Sequence, residues 1–286
     1  MRRIKNLWFC AVATLAVVGT MSAIGAETAA AVEYPLTGLP EFGRCVPAGA
    51  GKGERYRGAK CLRHFASGAY EWLPGPGETK PTYEATLESF RLETVGKKAV
   101  VCLGFITGTY KDSKTASVEL ELKGCVNVLT KARCQGPTPE EGEINAPVSG
   151  IEAEIGFLKG GLKPIVGWDI KPKAGQPSPN VLEFTCGNPP ETTIEKWTVE
   201  GSAIGVLKKI NRMTSIFALI YKQSAGKQER TEFEGGPKDT LKAKVSTTVP
   251  PSSVEEDAAI GMIGGEKATV EIENGEPFEV KAKSIP

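Results

Sequence analysis

The stretch Ala116-Ser117-Val118-Glu119-Leu120-Glu121-Leu122-Lys123 decides the fold class. In an extended chain Val118, Leu120 and Leu122 share one face while Glu119, Glu121 and Lys123 share the other, because successive side chains of a strand alternate. A helix would instead carry Leu120 to the side opposite Val118 and Leu122. The same period of two returns downstream. Leu241, Ala243, Val245, Thr247 and Val249 oppose Lys242, Lys244, Ser246 and Thr248. Val270 and Ile272 oppose Glu271 and Glu273, and after Asn274-Gly275 the residues Phe278 and Val280 oppose Glu279 and Lys281. The Asn-Gly pair between alternating runs predicts a hairpin, which Glu276-Pro277 lengthens beyond two residues.

Composition agrees with these strands. The chain holds 33 glycines and 20 prolines, spread so that no long helical period develops. The expectation is an all-β protein, an antiparallel sandwich or a partly closed barrel, disulfide-stapled and built from hairpin-like units. A faint repeat suggests those units. Leu103–Ile106, Ile155–Leu158, Ile204–Leu207 and Ile260–Ile263 share the form Leu/Ile-Gly-x-Ile/Leu, and a second strand-like run follows each. The spacing of roughly fifty residues lies in the range of repeated supersecondary units.

The N-terminus reads as an export signal. Arg2, Arg3 and Lys5 precede an apolar stretch from Leu7 to Gly25, and Thr28-Ala29-Ala30-Ala31 offers small residues for cleavage before Val32. Uncleaved, that stretch approaches the roughly 20 residues that cross a bilayer; once cleaved, it leaves no membrane span. Cys10 lies inside it, without the small residues that precede a lipid-modified cysteine. The expected organisation is 1–31 signal peptide, 32–140 cysteine-rich N-terminal β region and 141–286 C-terminal β region. The last two either form separate domains, divided in the turn-rich segment Cys134–Glu143, or make up a single one.

Six cysteines remain outside the leader: Cys45, Cys61, Cys102, Cys125, Cys134 and Cys186. An even number in an exported chain reads as three disulfides, for which fifteen pairings exist. The preferred pairing is Cys45–Cys61, Cys102–Cys125 and Cys134–Cys186. Only the middle bridge has a geometric reason: a hairpin turning at Lys111-Asp112-Ser113-Lys114 sets Cys102 and Cys125 nearly opposite.

Charge and motifs exclude several activities. The whole chain has 35 Lys+Arg against 34 Asp+Glu, and the leader takes three of the former and one of the latter, leaving 32 against 33. No global field draws such a protein onto nucleic acid or anionic lipid. A single histidine, His64, leaves no Cys/His zinc cluster and no histidine-based nucleophile site, and no cofactor motif occurs. Ser224-Ala225-Gly226-Lys227 has the S-x-x-K form but reads as a hairpin turn without its companion motifs. The placed glutamates, Glu119, Glu121, Glu232, Glu234, Glu271 and Glu273, lie on polar strand faces or beside turns. Three residues are the candidates for ligand contact. Trp168 and Asp169 adjoin in the apolar run Pro164–Ile170, and Trp72 lies in Tyr70–Gly77; a Trp beside a carboxylate can stack on and hydrogen-bond a sugar.

Leu39–Cys45, Tyr70–Gly77, Gly142-Glu143-Ile144 and Phe233–Asp239 resemble segments of a group of uncharacterised secreted proteins of soil actinobacteria, and the likeness spans most of the chain beyond the leader. The resemblance implies export and carries no activity. Function is therefore expected among non-catalytic secreted or cell-envelope modules, structural or binding, with a cell-wall or extracellular glycan as partner. The alternative is a carboxylate-dependent hydrolase acting on polysaccharide or peptidoglycan.

Overall fold

The computed structural model describes residues 38–49, 55–78, 80–137, 143–145, 150–176, 178–187, 194–238, 240–262, 268–272 and 277–283. The expected leader over 1–31 and the Asn274-Gly275 turn lie outside them. Residues Val32–Pro286 form one compact unit, and the strands and disulfides described below all lie within it.

Among the described residues the secondary structure is all strand. β1 (Glu41–Pro47), β2 (Arg55–Tyr56) and β3 (Tyr70–Pro74) come first, followed by the long strands β4 (Thr82–Thr94), β5 (Ala99–Thr109) and β6 (Thr115–Asn127). Two short strands, β7 (Cys134–Gln135) and β8 (Glu143–Asn145), lead to β9 (Ile151–Lys159), β10 (Ile165–Pro172) and β11 (Asn180–Cys186). Then come β12 (Glu195–Glu200), β13 (Ala203–Lys208) and β14 (Ile216–Ile220). Two small hairpins, β15 (Gln223–Ser224) with β16 (Lys227–Gln228) and β17 (Glu232–Phe233) with β18 (Gly236–Pro237), precede β19 (Lys242–Thr248) and β20 (Pro251–Met262). β21 (Ala268–Ile272) and β22 (Glu279–Lys281) complete the order.

Eight strands close into an antiparallel barrel in the order β4, β5, β6, β9, β10, β13, β14, β21, with β21 returning to β4. Closure removes both edges of the sheet. Three of the Gly-containing repeats fall on barrel strands that open true hairpins, β5–β6, β9–β10 and β13–β14. The fourth falls on β20, which pairs with β4 and not with its own successor β21. β4 serves two neighbours along one edge: Tyr83–Thr86 bind β21, and after a register shift between Leu87 and Phe90 the second half binds β20. From there a side sheet continues through β19, β12, β11 and β7. The expected division near residue 140 falls within this continuous structure. β6 pairs with β9 across it, β7 pairs with β11, and Cys134–Cys186 ties the two parts covalently.

The alternation of Ala116–Lys123 sets the inside and outside of the barrel. Val118, Leu120 and Leu122 are buried while Glu119 is exposed and Glu121 and Lys123 are partly so; on β4, Tyr83, Ala85 and Leu87 point in against exposed Glu84, Thr86 and Glu88. An outer face carrying glutamates at alternate positions is the reverse of a lipid-facing barrel. No helix among the described residues is long and apolar enough to cross a membrane. The interior is filled. Phe42, Tyr83, Tyr110, Trp168 and Phe278 meet at one end, with Trp168 edge-on to Phe42 at 5.7 Å and to Tyr83 at 5.6 Å. Toward the other end Leu87, Ile106, Leu120 and Ile170 enclose a void of only about 30 Å³. That is room for about one water molecule.

A second, four-stranded sheet, β2-β3-β1-β22, caps the aromatic end. Among the described residues β22 pairs with β1, and β21 with β14 and β4, so the strands expected to flank Asn274-Gly275 do not pair with each other. Phe42 and Val280, paired across β1 and β22, turn inward to join the core. The alternate residues Glu279 and Lys281, expected on a solvated face, are instead 1% and 4% exposed. The Cys45–Cys61 bridge pins the segment carrying Tyr56 and Cys61 over that outer face. Cys102–Cys125 staples β5 to β6 where their register shifts, between Val101 and Leu103.

The barrel wall leaves no space at Gly108. A methyl group there would stand 2.0 Å from the Ser117 carbonyl oxygen and 2.6 Å from the Tyr83 hydroxyl, whereas one at Gly58 would meet nothing within 4 Å. Gly108→Ala is therefore expected to lower the unfolding free energy by about 1–3 kcal/mol, and Gly58→Ala to change it by less than about 0.5 kcal/mol. Denaturant titration of the two variants checks this; equal midpoints would contradict the close approach at Gly108.

Candidate functional site

β10 sends Trp168 and Asp169 to opposite faces of the barrel wall. Trp168, 2% exposed, belongs to the aromatic core. Trp72, 6% exposed, lies beneath the Cys45–Cys61 segment with its indole against Gly43, where a Cβ would come within 2.1 Å of the ring. Neither indole is presented to solvent, so the expected sugar-stacking surface of Trp72 and Trp168 is absent. Both rings follow the apolar side of their strands, and burial of so much aromatic area outweighs display.

Asp169 is placed differently. It faces outward between Glu154 of β9 and Ile204 of β13, yet it is fully buried because the segment after β14 folds back over this wall. The β17–β18 hairpin is clamped to β9. The Glu234 carboxylate accepts a hydrogen bond from the Phe157 amide at 2.7 Å, while the Glu234 amide donates to the Phe157 carbonyl at 2.8 Å. Gly156 makes this possible, since a Cβ would lie 2.5 Å from the Phe233 ring. The clamp brings Lys238 Nζ to 5.3 Å from the Phe233 ring centre and 3.5 Å from Asp169 Oδ2.

Asp169 and Ser202 lie at the bottom of a cleft of about 570 Å³ between the barrel wall and the side sheet. Lys171, Lys238 and Lys242 ring it, with Thr240, Glu200 and two prolines completing the walls. Gly201 takes a positive φ of 97° and lets Ser202 bridge Thr240; a Cβ on it would meet the Thr240 carbonyl at 2.4 Å. Lys171 is held by an ion pair with Glu154. Neither oxygen of Asp169 receives a hydrogen bond of acceptable geometry, although Ser202 and Lys238 are close. Burial pushes its carboxyl up, and Lys238, Ser202 and Lys171 pull it back toward ionisation. A buried acceptor left in that condition costs free energy that a suitable donor would recover.

The sequence singled out Asp169 by its place in an apolar run. It missed Ser202, Lys238 and Lys242, for which no local signal exists, since they reach the cleft only through long-range packing. A second buried constellation was also missed. Lys281 Nζ donates to the Tyr56 hydroxyl at 2.7 Å and lies 4.5 Å from the Trp72 ring centre, with Glu279 two residues before it on the same strand. Burial raises the Glu279 carboxyl to about 7, with Lys281 and the Trp72 indole opposing. These groups are closed off by their own sheet and form no cleft, so they bear on stability. His64 packs edge-on against Tyr56 at 5.9 Å, in the exposed segment after Cys61, and takes no part in the cleft.

No family model matches this chain, and neither a curated protein nor a solved structure is similar to it.

The raised Glu279 carboxyl has a pH consequence. Between its ordinary value of 4.5 and its folded value of about 7 the folded protein holds a proton that the unfolded chain has released. Stability from this group is therefore complete below the lower value and lost as pH rises through the upper one, by on the order of 3 kcal/mol. Denaturation at pH 5 and pH 8 is expected to show this loss in the native protein and not in Glu279→Gln. Equal pH differences in both proteins would assign the effect to other groups.

Proposed function

We propose that the protein is a non-catalytic binding module of the secreted or cell-envelope space, and that the Asp169 cleft holds an acidic saccharide of an envelope or extracellular polymer. The observation that carries this reading is the pairing of unfilled acceptors with a ring of donors. Asp169 offers two buried oxygens with no hydrogen bond of good geometry, its near neighbours being Ser202 and the Lys238 ammonium at 3.5 Å, and Lys171, Lys238 and Lys242 line the cleft with it. A hydroxyl satisfies the first and a carboxylate or phosphate substituent the second, and an acidic sugar carries both on one rigid frame. Lys238, with a third of its side chain exposed, is the movable part. An acidic substituent draws its ammonium outward and a sugar hydroxyl takes its place on Asp169. Three disulfides support an oxidising compartment.

A carboxylate-dependent hydrolase is the second reading, because Glu200 shares the cleft with Asp169. It ranks lower for a physical reason. Acid–base catalysis needs both carboxyls held in place, whereas Glu200 is exposed and no hydrogen bond or ion pair among the described residues fixes it.

One assay separates the readings. The oxidised unit Val32–Pro286 is mixed with acidic and neutral polysaccharides and with insoluble envelope material, and bound protein and released fragments are measured together. Saturable binding to the acidic polymer without release is expected. Lys238→Ala with Lys242→Ala should weaken it about tenfold or more, equivalent to about 1.4 kcal/mol. Fragment release abolished by Asp169→Asn would establish the hydrolase instead, and equal binding by the double variant would remove the cleft from the account.

A further inference from the structure

We propose that the disulfide-pinned tip of residues 57–65 docks the protein onto anionic lipid headgroups at a membrane surface. The tip reads Arg57-Gly58-Ala59-Lys60-Cys61-Leu62-Arg63-His64-Phe65, and no Asp or Glu occurs from Arg55 to Tyr70. Every one of these residues except Cys61 is exposed. Arg57, Lys60 and Arg63 line a groove of about 330 Å³, and none of them enters an ion pair among the described residues. A near-neutral protein thus concentrates unbalanced positive charge at one point, where a phosphodiester would meet three cations at once.

The tip is preorganised. Cys61 is buried and bonded to Cys45, the Arg57 amide donates to the Arg63 carbonyl at 3.1 Å, and the Phe65 amide to the Arg55 carbonyl at 2.9 Å. Its cations are therefore held together before any ligand arrives, which lowers the ordering cost of binding.

Two apolar side chains choose the occupant. Leu62, which lines the groove beside Arg63, and Phe65, two residues beyond Arg63 on the same exposed segment, leave 50% and 51% of their surface exposed. A soluble polyanion would pair with the cations and leave both side chains in water. A bilayer takes both parts, with phosphates against the cations and the leucine and phenylalanine in the boundary between headgroups and acyl chains. The contact is peripheral and acts beside the cleft function, through different residues.

The test is sedimentation of the oxidised unit Val32–Pro286 with phosphatidylcholine vesicles, with and without phosphatidylglycerol. Binding to the anionic vesicles alone is expected, falling steeply with added salt. Lys60→Ala with Arg63→Ala should weaken it on the order of thirtyfold, and Leu62→Ala with Phe65→Ala should also weaken it. Lys208→Ala with Lys209→Ala, which removes an exposed pair elsewhere, should leave it unchanged. Denaturation midpoints confirm that each variant is folded. The proposal fails if anionic vesicles are not bound, if neutral vesicles bind as well, or if the Lys208/Lys209 variant loses as much. Binding to soluble polyphosphate with none to vesicles would identify an acidic polymer as the occupant and overturn the membrane assignment.

Discussion

The whole architecture depends on how Thr82–Thr94 divides one of its edges. Its first half seals the barrel against Ala268–Ile272, and beyond the irregularity at Leu87–Phe90 its second half leaves the cylinder to start the side sheet through β20. An irregular register bends a strand and raises its local twist, and that bend lets one strand belong to two sheets. Without the divergence β12 and β19 would not stand beside the barrel wall. Gly201, Ser202 and Lys242 would then have nothing to face, and Asp169 would be an ordinary exposed carboxylate on β10.

Filling the barrel moves any recognition to its outer surface. Trp168 and its aromatic neighbours occupy the end that a ligand would enter in an open barrel, and the capping sheet closes that end with Phe42. What remains for binding is where covering segments meet the wall incompletely. The β17–β18 hairpin covers Gly156 tightly, but the surface just beyond it stays open as the cleft. Packing and charge balance are in this sense one arrangement: the same segment that shields Asp169 from water supplies the Lys238 that balances it.

Much of this was legible in the residues, and the limits have physical causes. Alternation gave the inside and outside of β6, where one face meets water and the other the core. Hairpin geometry gave Cys102–Cys125, and Ser224–Lys227 is indeed a tight turn, with Ala225 and Gly226 both at positive φ. Alternation misread Glu279 and Lys281 because a period of two reports two faces and not what covers them. The cover over Lys281 comes from Tyr56, 225 residues away. Closure of the barrel was illegible for the same reason, since the β4–β21 register joins segments with no local cue for each other. The basic tip was hidden by averaging: a balanced total of charges says nothing of how three cations gather at one bridge.

The pairing of β1 with β22 has a consequence for how the chain can be made. Phe42 and Tyr56 sit near the start of the described chain, and their partners Val280 and Lys281 near its end. As the polypeptide is synthesised, its early segments can form local hairpins but cannot bury Phe42 against Val280 or join Tyr56 to Lys281. The cap must wait for the last strand. A topology so dominated by distant contacts folds late and slowly, and the cap is completed only after Glu279–Lys281 has been made.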